Sequence, residues 1–133
     1  MPSVIQKRSY NSVTVYSIDE QSIWAALKGF TTELTQRPEV LAVLVFGSLV
    51  NGQLGVGSDV DVLLILARSD RSFLDRPPVY SPGRFPVDMD IFPYTLAEVR
   101  AGQPIAQEAL LHGRVLWSRT PLDSLLPGKE VGE

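Results

Sequence analysis

The sequence predicts an α/β (α+β) fold, a mixed β-sheet with helices packed on it. Two continuous apolar runs, Val40 to Phe46 and Val60 to Leu66, have the pattern of strands buried on both faces. Ahead of them Ile23, Leu27, Phe30 and Leu34 recur at helical spacing. Strands alternating with helices over 133 residues imply one domain with helices layered on a sheet.

The chain is polar from Met1 until Ser12, where Val13, Thr14, Val15 and Tyr16 predict a short edge strand. Ser17-Ile18-Asp19-Glu20 has the spacing of a capping box and predicts a helix from Glu20 to Gln36, ended by Arg37-Pro38. The strand Val40 to Phe46 stops at Gly47-Ser48. A short helix is expected over Leu49 to Leu54, its amino end pointing back at that turn, and the strand Val60 to Leu66 follows. Residues 68–84 form a polar, proline-broken connection with one helical turn around Phe73 and Leu74. Phe73, Pro77, Pro78 and Tyr80 read as an exposed apolar rim there, and Arg68, Arg71, Arg76 and Arg84 as surface charge.

Phe85 to Phe92 predicts a third strand. Thr95, with Glu98 three residues on, caps a helix from Leu96 to Ala101 that Gly102 breaks. Pro104 to His112 predicts another helix with Gly113 as its carboxyl cap, and Arg114 to Trp117 a last strand. His112 suits a helix end, and Trp24 and Trp117 suit core or edge packing. Residues 1–117 therefore form a single domain. Residues 118–133, with two prolines and two glycines, are expected to be a loosely packed tail.

Composition narrows the chemistry. Apolar residues make up 44% and charged residues 20%, as in soluble globular chains. A net charge of −3 without blocks of one sign gives no general positive field for nucleic acid. The absence of cysteine excludes disulfides, thiolate nucleophiles and cysteine zinc sites. With His112 the only histidine, Ser-His-Asp catalysis and histidine-rich metal sites are disfavoured. No signal-like or membrane-length apolar run occurs, so a cytoplasmic location is expected. Any metal would be a hard cation bound by carboxylates.

Asp59 and Asp61 are two apart on a strand, so they leave one face with Cα atoms roughly 6–7 Å apart. Leu63 and Ile65 lie beneath them, and Val60, Val62, Leu64 and Leu66 cover the other face. Carboxylates within ~4 Å would repel by roughly 4 kcal/mol at an effective dielectric near 20. Either one holds a proton or a cation sits between them. Asp88 and Asp90 repeat the spacing in another strand-like segment. If the two strands are neighbours, three or four carboxylates converge, a set that suits Mg²⁺ or Mn²⁺ on a substrate's phosphates. On the residues alone, an Asp88–Asp90 pair facing solvent is equally open.

Gly47-Ser48 lets a backbone approach a phosphate and adds a hydroxyl donor, though it is also a plain helix start. A P-loop is excluded because Gly47-x4-Gly52 is followed by Gln53-Leu54 rather than Lys-Ser or Lys-Thr. A dinucleotide fingerprint is excluded because Val60, not glycine, lies three residues after Gly57.

The combination is more specific than its parts. Gly47-Ser48, ten intervening residues, then Asp59-Val60-Asp61 resembles the GS-x10-D-x-D signature of the nucleotidyltransferase superfamily that includes DNA polymerase beta. The pattern from about Ile23 to Trp117 looks most like its minimal nucleotidyltransferases, down to the terminal Gly113-Arg114-Val115-Leu116-Trp117. The resemblance implies a polymerase beta-like palm fold. It makes Gly47 and Ser48 the nucleotide-binding triphosphate cradle, and Asp59 and Asp61 the catalytic carboxylates shared between two Mg²⁺ ions (Mn²⁺ also fits). Asp90 becomes the third acid, a metal ligand that helps deprotonate the acceptor. Asp90 is preferred to Asp88 because Ile-Phe-Pro-Tyr-Thr-Leu-Ala-Glu follows it, the family's apolar pair and capped helix.

The implied activity is transfer of AMP from ATP to a hydroxyl. The extra helical domain with which aminoglycoside-modifying relatives hold their acceptor is not evident, so a partner protein, a second subunit of a homo-oligomer or the Arg68 to Arg84 segment is expected to hold it. The alternative is a non-catalytic antitoxin or regulatory subunit that binds a nucleotide or pairs with a HEPN-type helical protein.

Overall fold

The computed structural model describes residues 5–10, 13–52 and 59–128. The chain starts with strands β1 (Ile5–Tyr10) and β2 (Val13–Ile18), paired antiparallel from Ile5↔Ile18 to Tyr10↔Val13 in a two-stranded sheet of their own. β2 was expected, with slightly different ends. β1 was not, because adjacent Lys7 and Arg8 hide any strand periodicity and the pairing is made by backbone.

Helix α1 (Glu20–Leu34) follows. Its cap is Asp19 rather than Ser17, because β2 takes Ser17 and Ile18 as its last residues. The Asp19 carboxylate accepts from the Ser22 backbone at 3.4 Å and from the Ser22 hydroxyl at 2.7 Å, and these bonds hold its pKa below the ordinary value. Ile23, Leu27, Phe30 and Leu34 form the buried stripe that the spacing predicts.

Strand β3 (Val40–Phe46), the short helix α2 (Ser48–Asn51) and strand β4 (Val60–Leu66) come next. Residues 53–58, including the expected helical Gln53 and Leu54, lie outside the described residues. A 3-10 turn at Phe73–Asp75 leads to α3 (Pro77–Tyr80), and then come β5 (Met89–Thr95), α4 (Leu96–Arg100), α5 (Pro104–His112), β6 (Arg114–Ser118) and α6 (Leu122–Leu125).

The main sheet has the order β5-β4-β3-β6. β3 runs antiparallel to both neighbours, while β4 and β5 are parallel, so the sheet is mixed. Because β3 and β4 are central, both their faces are buried. Val43, Val45, Val62 and Leu64 pack towards α1, and Leu44, Phe46, Leu63 and Ile65 pack towards α4, α5 and the carboxyl-terminal leucines. Each fully buried side chain of this size contributes about 2 kcal/mol before entropy is counted. This is the α+β architecture expected.

β5 starts later than predicted and runs through Pro93. Proline is tolerated because β5 is an edge strand. The Pro93 carbonyl accepts from Arg76 Nη1 at 3.1 Å, so the residue's missing N–H also falls on the outer edge, where no strand pairs.

Arg76 corrects the surface-charge expectation. Only 6% exposed, it donates to the Arg71 and Pro93 carbonyls and, at 2.6 and 3.3 Å, to both carboxylate oxygens of Glu98. Glu98 also closes the expected capping box with Thr95. The exposed rim is corrected too: Tyr80 is buried and donates its hydroxyl to Glu39 at 2.8 Å, and Phe73 stacks on Tyr94.

Arg76→Ala is expected to cost about 3 kcal/mol, since it strips a buried network of its only cation. Glu98→Gln should cost about 1 kcal/mol, the carboxylate being partly exposed and screened. The hydrogen bond from Arg76 holds the Glu98 pKa below its ordinary value. Its contribution is therefore present above the unfolded value and lost as pH falls through the depressed folded value. Urea unfolding of wild type and Glu98→Gln should accordingly differ at neutral pH and converge in acid. A difference that persists or grows in acid would contradict the bridge.

Residues 118–126 are not a loose tail. Leu122 and Leu126 are buried in the α5 face, Arg100 donates to the Leu125 carbonyl, and Arg119 donates to the Val40, Thr35 and Arg37 carbonyls. No helix among the described residues is long and apolar enough to cross a membrane.

Candidate active site

Parallel pairing of β4 with β5 puts Asp61 in register with Asp90, and the Val60 N–H donates to the Asp88 carbonyl at 2.9 Å. Neighbouring residues in register share a face, so Asp61 and Asp90 emerge on the side of Leu63 and Ile65, while Asp59 and Asp88 immediately precede the two strands. Asp61 is also in register with Phe46 at the end of β3. Phe46 and Phe92, ring centroids 5.7 Å apart, lie on the same sheet face. Asp59, Asp88 and Asp90 are exposed and Asp61 is half-buried.

Gly47 directly follows β3. Its φ of 82° is in the region that favours glycine, and a Cβ there would run into Asp61 Oδ2. The turn backbone and the carboxylate are therefore in contact. Ser48 begins α2, half-buried, and the Asn51 N–H returns to the Gly47 carbonyl at 3.0 Å. The structure thus brings Gly47, Asp59, Asp61 and Asp90 to one end of the sheet, with Ser48 next in the chain.

The electrostatics follow from that crowding. Burial, then the charges of Asp90 and Asp59, push the Asp61 pKa up. Burial, then the charge of Asp59, a hydrogen bond with Asp59 and the charge of Asp88 push Asp90 up. Asp90 is the acid of the second pair that stands in register with Asp61, whereas Asp88 lies before the start of β5. Among the described residues no group of three or more His, Cys, Asp or Glu side chains is placed so that it could hold a metal ion. The chemistry of Asp59, Asp61 and Asp90 is nevertheless of the kind that suits a hard cation such as Mg²⁺, with hard oxygens and mutually repelling charge that a cation would relieve.

Residues 27–109 match the family model of the nucleotidyltransferase domain. The chain belongs to that family. The match contains Gly47, Ser48, Asp59, Asp61 and Asp90. Among solved structures, a crystal structure at 1.40 Å resolution of a protein from Sulfolobus solfataricus, named provisionally as a nucleotidyltransferase, aligns with a TM-score of 0.55. The two are 18% identical over 75% of this chain and 84% of that one, a likeness of fold. No curated protein matches the chain.

Gly113 is the carboxyl cap of α5, as expected, and it has a second role that the sequence did not show. It ends α5 with an extended φ of −87° and ψ of −172°, so no left-handed cap is involved. A Cβ there would meet the Ala109 carbonyl, the Val45 carbonyl at 2.7 Å and Phe46 Cβ at 3.1 Å. The glycine lets the end of α5 close onto β3 beside the site. His112 is exposed at that helix end, as its structural reading implied.

Proposed function

We propose that the chain transfers a nucleoside monophosphate, AMP from ATP, to a hydroxyl acceptor with release of pyrophosphate, Asp59, Asp61 and Asp90 holding two Mg²⁺ ions. The observation that supports this most is the register of Asp61 with Asp90 beside the Gly47 turn. When bound, the ions supply charge neutralisation on the triphosphate and polarisation of the acceptor hydroxyl. Gly47 lets the backbone approach a phosphate, and the Ser48 hydroxyl donates to one. Asp90, whose pKa is raised, is suited to accept the acceptor's proton on its carboxylate. Since Asp59 and Asp90 are exposed, an acceptor hydroxyl on a partner protein can reach them.

Calorimetric titration of ATP with and without Mg²⁺ checks the reading. Binding should require the metal and weaken at least about tenfold in Asp59→Ala, as expected for loss of a metal-binding carboxylate. Labelled ATP should then transfer its α-phosphate to a protein hydroxyl. Nucleotide binding indifferent to Mg²⁺ and to Asp59 would overturn the enzyme reading.

A further inference from the structure

The opposite face of the sheet carries a cleft that the chemistry above does not use. It lies between α1 and β6, encloses about 350 Å³, and is lined by Trp24, Lys28, Thr31, Leu116 and Trp117 among others. β6 is the outer strand of the sheet and, among the described residues, pairs with β3 alone. Among the described residues one row of its backbone donors and acceptors therefore has no strand partner. An apolar cleft beside an open strand edge is the arrangement that binds extended peptides: backbone bonds hold the strand and the cleft takes its side chains.

Charge selects the occupant. The Arg114 guanidinium lies 4.9 Å from the Trp24 ring centroid, Arg119 lies 4.8 Å from that of Trp117, and Lys28 lines the wall. Among the described residues no carboxylate lines the cleft. This cationic rim stands on a chain whose net charge is −3, so its sign is local. Two β6 edges facing each other would bring two such rims together, which disfavours a second copy as occupant.

We propose that the cleft and the free edge of β6 dock an acidic, extended segment of a partner protein, which adds to the sheet as a fifth strand. Its carboxylates meet Lys28, Arg114 and Arg119, and an apolar side chain enters between Trp24 and Trp117. The site is independent of Asp61 and Asp90, which lie on the other face, and of Asp59 just before β4.

The only two tryptophans of the chain, Trp24 and Trp117, both line this cleft, so intrinsic fluorescence reports on it alone. The probe is a short peptide of alternating glutamate and valine, titrated into the full chain. A saturable change in tryptophan emission is expected, weakened at least tenfold in the double variant Lys28→Glu with Arg114→Glu. A lysine–valine peptide, and a glutamate–valine peptide N-methylated at alternate amides to block strand pairing, should bind at least tenfold more weakly to wild type. No saturable response to the acidic peptide, or an equal response to either control, overturns the proposal. A concentration-dependent dimer that the acidic peptide fails to dissociate assigns the edge to a second copy and overturns it equally. None of these measurements involves a nucleotide, so their failure leaves the transferase reading standing.

Discussion

Asp61→Asn is expected to abolish nucleotidyl transfer and, at the same time, to raise the melting temperature of the metal-free protein. Both effects arise from one group. Burial and the neighbouring Asp90 and Asp59 charges raise the Asp61 pKa, so the fold favours the neutral carboxyl over the carboxylate. For a carboxyl raised on folding, the favourable contribution is present below the unfolded value and lost as pH rises through the folded one. Above the raised folded value the metal-free protein therefore carries the whole penalty. Asparagine removes the charge at nearly the same volume and should recover about 1 kcal/mol or less, a few degrees in melting temperature. The gain should shrink in acid, where wild-type Asp61 is already protonated.

Activity moves the other way. Loss of about 4 kcal/mol of transition-state charge stabilisation corresponds to roughly a thousandfold. Mg²⁺ should stabilise wild type against heat and leave the variant nearly unmoved. Scanning calorimetry in chelator and in Mg²⁺, beside a transfer assay, checks both halves. A variant that melts lower than wild type in chelator, or retains transfer within tenfold, would remove Asp61 from the site.

How much of this was legible in the sequence depended on where each signal resides. β3 and β4 were readable to the residue because central strands bury both faces and stay apolar throughout. α5 was readable because Pro104 starts it and Gly113 stops it. β1 was not, since its pairing is a backbone matter that its mixed side chains do not mark. The extent of β5 was hidden by Pro93, which ends a strand unless that strand is at an edge, and edge position is a property of the whole sheet. Arg76 is buried only because the Arg71 and Pro93 carbonyls and the Glu98 carboxylate surround it, and no local pattern announces that. The same holds for Leu122 and Leu126, whose core lies on α4, α5 and the sheet.

The site divides in the same way. Parity suggested that Asp59 and Asp61 share a strand face, and the structure starts β4 at Val60, with Asp59 just before it. Their meeting with Asp90 requires parallel pairing with β5, which sequence spacing does not encode. Gly47 stood out beside Ser48 for what it offers a phosphate. Its contact with Asp61 emerges only when the ends of β3 and β4 come together.

That contact makes Gly47→Ala the second large expected effect. The backbone at φ 82° and ψ −146° is nearly confined to glycine and should cost about 1–3 kcal/mol for any other residue. The added methyl would also strike Asp61 Oδ2, so either the carboxylate or the turn must move. A displacement of about 1 Å at a reacting centre is enough for roughly a hundredfold loss of rate. Gly52→Ala is the internal control. It too is left-handed, at φ 72°, but no described residue lies within 4 Å of its would-be Cβ, so it should cost only about 1 kcal/mol and spare activity. The strain and the clash can then be separated with Asp61→Ala, which removes the struck oxygen but not the backbone penalty. If the two residues touch as the structure shows, the double variant Gly47→Ala with Asp61→Ala should be more stable than the sum of the single effects predicts, by about 1 kcal/mol or more. Strict additivity in urea unfolding would mean that the turn and the carboxylate are not in contact, and the phosphate-binding turn would then have to be sought elsewhere on the sheet edge.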